Sequence, residues 1–217
     1  MIDKDLIHED WITNLSEEAR FDVTSIATKR SYSANEFLFR KGDKPEAFYG
    51  IISGRVRVSS TTYSGGELFA TVLMPGEWFG ELSVIDGYGR THDATSLESS
   101  ELMVLPLNKL QRLITKHECI HYALVTLLCR KVRVAFGMID DFLMCNPKER
   151  LAKRLINLSD SSDGGVKASQ EELSQLVAIS RQSASKFLKE WEDQGIIERR
   201  YGLIRVLDKQ RLQLISD

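Results

Sequence analysis

The chain has 217 residues, 42% hydrophobic and 28% charged, with 29 Lys/Arg against 31 Asp/Glu for a formal net charge of −2. That length accommodates two modest domains, and the composition is that of a globular chain. No apolar run approaches the roughly 20 residues of a membrane span, and the polar start Met1-Ile2-Asp3-Lys4-Asp5 has the form of neither a secretory nor a transit leader, so a cytoplasmic protein with no membrane partner is expected.

Residues 32–106 read as a β-rich domain, because short apolar runs are punctuated by glycine at 42, 50, 54, 65, 66, 76, 80, 87 and 89. Arg55-Val56-Arg57-Val58-Ser59 alternates apolar and polar residues. It predicts a strand with the valines buried and Arg55, Arg57 and Ser59 on the wet face.

After Pro106 the period changes. His121, Val125, Leu128, Val132, Ala135, Ile139 and Phe142 recur at alternating steps of four and three, which is the seam of a coiled coil. A helix from Ile120 to Met144 would be about 37 Å long at 1.5 Å per residue, longer than a small barrel covers. Its seam therefore calls for a partner helix, the alternative being burial within its own chain. A second stripe, Ile120, Leu127 and Val134, is placed to face the barrel. Asn146-Pro147 closes the helix, and Pro147 suits the first turn of another.

Ser169-Gln170-Glu171-Glu172 is a capping box that starts a helix ending near Leu176. After Val177-Ala178-Ile179, Ser180 can cap a second helix running to about Asp193. Two capped helices around a tight turn make a helix-turn-helix. The second presents Arg181, Gln182, Ser183, Ser185 and Lys186 on one side and Ala184, Phe187, Leu188 and Trp191 on the other. Arg suits the paired acceptors of guanine, Gln the donor and acceptor of adenine, and Ser or Lys either bases or phosphates. Residues 196–206 read as two strands around a turn, a wing whose cations would lie near the sugar-phosphate backbone. Residues 147–217 carry 13 Lys/Arg against 11 Asp/Glu, so cation placement rather than net charge carries the nucleic-acid reading.

Cys119, Cys129 and Cys145 are too few and too scattered for a disulfide framework or a metal finger. No metal site is expected. Enzyme signatures such as GxSxG, the Walker loop and HExxH are missing from the sequence, and no catalytic residue is assigned.

Three blocks together resemble the CRP/FNR family of bacterial transcription regulators: Phe39-Arg40-Lys41-Gly42-Asp43 with Phe48-Tyr49 and Ser53-Gly54; Gly80-Glu81-Leu82-Ser83 through Arg90-Thr91; and Ser180-Arg181-Gln182 through Lys186. The resemblance implies an α+β chain: a jelly-roll-like β-barrel with flanking helices over residues 1–116, a dimerisation helix over 117–146 and a winged helix-turn-helix over 147–217. It implies a homodimer with Val125, Leu128, Val132, Ala135, Ile139 and Phe142 in the seam. It also implies double-stranded promoter DNA with inverted-repeat half-sites, bound through Ser169, Ser180, Arg181, Gln182, Ser183, Ser185 and Lys186, and RNA polymerase as a further partner of an activator.

By the same resemblance, Gly80, Glu81, Leu82, Ser83, Arg90 and Thr91 form an effector site in which Arg90 holds a cyclic phosphate and Glu81 accepts from a ribose hydroxyl. Cyclic AMP or another cyclic nucleotide is the candidate effector, and a ligand-free buried ion pair between Glu81 and Arg90 is the alternative. Two departures count against cyclic AMP: Ala135-Phe136 stands where the cyclic-AMP receptor offers Thr-Ser to the adenine, and His92-Asp93 follows Arg90-Thr91 in place of small apolar residues. His92 and Asp93 are adjacent on a strand and would point to opposite faces, not to one ion. With Cys119 the first cysteine, the family's four-thiolate iron-sulfur cluster is not expected, and a haem would rest on His92, His117 or His121 alone. The rival readings are a DNA binder that needs no effector and a ligand-sensing subunit that binds a protein instead of DNA.

Overall fold

The computed structural model describes residues 10–61, 67–159, 164–166, 168–200 and 202–216. It divides into two compact units, Met1–Arg133 and Val134–Asp217. No helix among the described residues is long and apolar enough to cross a membrane.

The first unit opens with α1 (Asp10–Thr13) and α2 (Glu17–Ile26), followed by β1 (Thr28–Tyr32), β2 (Phe37–Phe39), β3 (Ala47–Ser53), β4 (Val56–Thr61), β5 (Glu67–Leu73) and β6 (Trp78–Phe79). Then come α3 (Glu81–Asp86), β7 (Asp93–Ser96), β8 (Ser100–Pro106), α4 (Leu107–Lys116) and the long α5 (Glu118–Met144). The strands form two antiparallel four-stranded sheets, ordered β1-β8-β3-β6 and β2-β7-β4-β5.

The period of two along a strand explains how one sheet serves two cores. Along β3, Ala47, Tyr49 and Ile51 face the barrel interior with Phe79, Val56, Ala94 and Leu102. The alternate residues Phe48 and Ile52 enter a second core with Trp11, Trp78, Met103 and Leu105. Ile120, Ala123, Leu124 and Leu127 of α5 close that second core, each large aliphatic side chain contributing about 1.5–3 kcal/mol on burial. Val134, expected on the same stripe, is instead 59% exposed. The expected alternation in β4 also fails at one residue: the ladder shifts register between Val58 and Ser59, and the Ser59 side chain, expected on the wet face, is buried. The residue added at that shift belongs to β5, because Val58 pairs with Thr71 and Ser59 with Phe69, while β4 keeps an unbroken register with β7 from Val56 to Ser59.

Asp22 fastens α2 to the junction of α4 and α5. It accepts from Lys116 Nζ at 2.7 Å and lies 2.8 Å from His117 Nε2, and these two contacts hold its carboxyl below the usual range.

The second unit contains the C-terminal part of α5, α6 (Pro147–Leu158), β9 (Gly165–Val166), α7 (Gln170–Leu176), α8 (Arg181–Asp193), β10 (Ile197–Arg200), β11 (Leu203–Val206) and α9 (Lys209–Ser216). Pro147 does open α6, and Asn146 caps it through the amides of Lys148 and Glu149 at 2.9 and 3.1 Å. The wing has three strands, ordered β10-β11-β9, one more than the sequence indicated. Leu151, Leu155, Leu173, Leu188, Trp191, Ile197, Ile204 and Leu212 are buried here.

Candidate effector and DNA-reading sites

The barrel site is built where β6 passes into α3. Gly80 makes the turn at φ +90°, and a Cβ there would lie 2.5 Å from Arg90 Nη1, so both backbone and space require glycine. Arg90 is buried. Its Nη1 donates to the Gly80 carbonyl at 3.0 Å and its Nη2 to the carbonyl of Ala47, while its guanidinium lies 4.3 Å from the Phe39 ring centroid. Burial lowers the Arg90 pKa from its ordinary value, yet arginine keeps its charge in proteins. The Nε of Arg90 is buried without a partner, and an orphaned donor on a buried cation is what an anion would satisfy.

Glu81 is also buried. Its Oε2 accepts from Lys131 Nζ of α5 at 3.0 Å, and Lys131 donates as well to the Trp78 carbonyl. Glu81 and Arg90 thus find different partners, and the buried ion pair considered as the ligand-free alternative is corrected: Lys131 is the counter-ion of Glu81. Ser83 spends its hydroxyl on the Gly89 carbonyl at 3.4 Å. Leu82 projects outward at 43% exposure, leaving its backbone to the frame. Thr91 is exposed, its hydroxyl 3.0 Å from His92 Nδ1. Asp93 accepts from the Lys41 amide at 2.7 Å, so His92 and Asp93 serve separate contacts. Next to Arg90 lies a cavity of about 280 Å³ lined by Leu38, Phe39, Asp43, Lys44, Glu46, Tyr49 and Arg90.

A cyclic nucleotide requires a cation for its phosphate and an acceptor for its ribose hydroxyl, and Arg90 and Glu81 are residues of those two kinds, held within one buried frame. Gly80, Glu81, Ser83 and Arg90 are brought together, while Leu82 and Thr91 lie at its surface.

The DNA-reading segment follows its local signals closely. Ser169 Oγ accepts from the Glu172 amide at 3.1 Å and Glu172 Oε2 from the Ser169 amide at 2.6 Å, closing the capping box at the start of α7. Ser180 Oγ accepts from the Ser183 amide at 3.1 Å and starts α8. Between them Ala178 takes φ +50°, a left-handed turn residue that composition did not announce. Ala184, Leu188 and Trp191 bury one face of α8. Arg181, Gln182 and Lys186 are exposed on the other, with Ser183 and Ser185 half-buried. Sequence reasoning missed Glu171, whose Oε2 lies 3.8 Å from Arg181 Nε.

Two wing cations have carboxylate partners within the second unit. Arg199 is half-buried and donates through Nε to Glu192 Oε2 of α8 at 2.8 Å, which holds the Glu192 carboxyl below its usual value. Arg200 pairs with Glu198 at 2.9 Å. Arg199 therefore braces β10 against α8. Tyr201 lies outside the described residues.

Along α5, Val125, Val132, Ile139 and Phe142 are 38%, 49%, 51% and 48% exposed. Ala135 is exposed and Leu128 half-buried. The cysteines are free, with Cys129 exposed and Cys119 and Cys145 half-buried. His117 is engaged with Asp22.

Residues 29–117 match the cyclic nucleotide-binding domain family, and residues 149–215 the Crp-like helix-turn-helix domain family. The chain is 29% identical to the cyclic AMP receptor protein of Thermus thermophilus, over 87% of this chain and 88% of that protein. It is 28% identical to a CRP-like cAMP-activated global transcriptional regulator of Mycobacterium tuberculosis, over 81% and 82%. The solved structure of FixK2 from Bradyrhizobium japonicum shares the fold with a TM-score of 0.81 at 18% identity, over 88% of this chain and 98% of that one. The Thermus thermophilus catabolite activator protein superposes with a TM-score of 0.55 at 28% identity, over 95% and 97%. With a cyclic nucleotide-binding domain followed by a Crp-like helix-turn-helix, and with relatives that are transcription regulators and not enzymes, the chain belongs to the CRP/FNR family of DNA-binding transcription regulators.

Proposed function

We propose that the protein works as a homodimer on inverted-repeat promoter DNA, with α8 reading the major groove and an effector in the barrel setting DNA affinity. The observation that carries the DNA-reading assignment is the polar face of α8: Arg181, Gln182 and Lys186 stand exposed on a helix whose opposite face is anchored by Leu188 and Trp191. Helices placed this way enter the groove N-terminus first, and two-fold symmetry puts half-sites about one DNA turn apart. The exposed apolar seam on α5 supports dimerisation. RNA polymerase is a further partner if the protein activates.

The effector proposed is a cyclic nucleotide, held by Gly80, Glu81, Leu82, Ser83, Arg90 and Thr91. An anionic phosphate fits the orphaned donor of Arg90. A hydroxyl donor on the ribose fits Glu81, and binding there shares that carboxylate with Lys131. Because Lys131 belongs to α5, any ligand that takes up Glu81 acts on the proposed dimerisation helix. Such a ligand shifts the protein only by its preference for one state over the other.

Selection of bound duplexes from a random pool tests the DNA reading. Recovery of inverted repeats with half-sites about one turn apart supports it, and recovery of no sequence over the input pool counts against it. Calorimetry with cyclic AMP and cyclic GMP, repeated on Arg90→Ala, tests the effector. Binding lost in the variant supports a nucleotide sensor, whereas no heat with either nucleotide favours a regulator that needs none.

A further inference from the structure

We infer that Glu171 is a positioning and specificity residue for DNA recognition, holding Arg181 for base contact and opposing its collapse onto phosphate. The inference rests on the DNA reading of α8. Glu171 sits in the first turn of α7 and reaches across the turn to α8, its Oε2 3.8 Å from Arg181 Nε. The other oxygen, Oε1, accepts from Gln175 Nε2 at 3.2 Å. The carboxylate is thus oriented from both sides, and it engages the inner nitrogen of the guanidinium. Among the described residues the two terminal nitrogens of Arg181 have no partner, and these are the pair that matches guanine O6 and N7.

The side chains of Arg181 and Glu171 are 74% and 51% exposed. An ion pair so open to water adds little to stability, so a stabilising role does not account for it. Its consequence falls on DNA. A carboxylate within reach of a base-reading arginine lies inside the DNA footprint, where phosphates repel it. On any duplex Glu171 therefore imposes an electrostatic cost. Only a sequence that gives Arg181 its paired base acceptors compensates, while phosphate-only contact leaves the repulsion standing. The effect is a higher ratio of specific to random binding at the expense of absolute affinity, which is specificity by disfavouring the wrong partner.

The test compares full-length wild type, Glu171→Gln, Arg181→Ala and the double variant, on a selected site, on that site changed at the base Arg181 reads, and on random duplex. Gln keeps the size and the acceptor for Gln175, and circular dichroism checks that α7 is intact. Glu171→Gln is expected to tighten random-duplex binding about three- to tenfold, an effect that shrinks as salt rises, and to reduce base discrimination at the Arg181 position. In the Arg181→Ala background, Glu171→Gln should leave base discrimination unchanged. Unaltered random-duplex affinity and unaltered discrimination in Glu171→Gln would overturn the inference. If the wild type does not discriminate the selected site from random duplex, the DNA reading itself fails, which is a distinct result.

Discussion

Lys131 Nζ donates to Glu81 Oε2 at 3.0 Å, joining residues 50 positions apart and binding the long helix to the turn that carries the proposed effector frame. Glu81 is 9% exposed in its side chain and Lys131 31%, so the carboxylate depends on this ammonium more than the ammonium depends on it. Lys131→Ala leaves a buried acceptor without its partner and is expected to destabilise the first unit by about 1–3 kcal/mol. Urea unfolding followed by Trp fluorescence checks this. Full retention of stability would show that water replaces the ammonium.

Gly80→Ala should fold poorly or open the barrel site. It forces a side chain onto φ +90° and brings Cβ to 2.5 Å from Arg90 Nη1. Strain at such a position costs about 1–3 kcal/mol before the displacement of Arg90 is counted. A variant with wild-type thermal stability would contradict the geometry given for this turn.

Burial, and after it the Lys41 charge, depress the pKa of His92 below its ordinary 6.5. For a histidine shifted down on folding, the stability contribution is present above the unfolded pKa and is lost as pH falls through the folded value. The His92 ring should therefore titrate below 6.5 in an NMR pH series and move upward in Lys41→Ala. A midpoint at or above 6.5 in the wild type would show that the ring is solvated.

Ile139→Asp places a charge in the exposed apolar stripe of α5, where Ile139 is 51% exposed in the single chain. If two such stripes meet, the buried carboxylate is costly, and sedimentation should show monomer where the wild type is dimer. An unchanged dimer would move the interface elsewhere.

The features legible in the sequence were local. Ser169 and Ser180 each cap a helix because the acceptor and the amide it serves lie within three residues, whereas the cap supplied by Asn146 emerged only from the structure. The seam of α5 repeats with a helical period, and Ile120 and Leu127 landed in the core as their spacing indicated. The features that escaped depend on a partner across space. Lys131 carries no mark of Glu81 in its neighbourhood, Arg199 carries none of Glu192, which its Nε meets at 2.8 Å, and Glu171 looked like a helix-start acid. Ser59 is buried although strand alternation places it on the wet face, and Val134 shows that a helical stripe continues past the point where its covering core ends.

The most direct test of the DNA-reading account is the binding of wild type and Arg181→Ala to a selected inverted-repeat duplex and to random duplex at one fixed salt concentration. The account predicts that the variant loses about 1–3 kcal/mol per half-site on the selected duplex, relaxes preference at one base position and changes little on random DNA. Equal loss on both duplexes would contradict it, because Arg181 would then touch only phosphate and the exposed face of α8 would not be reading sequence.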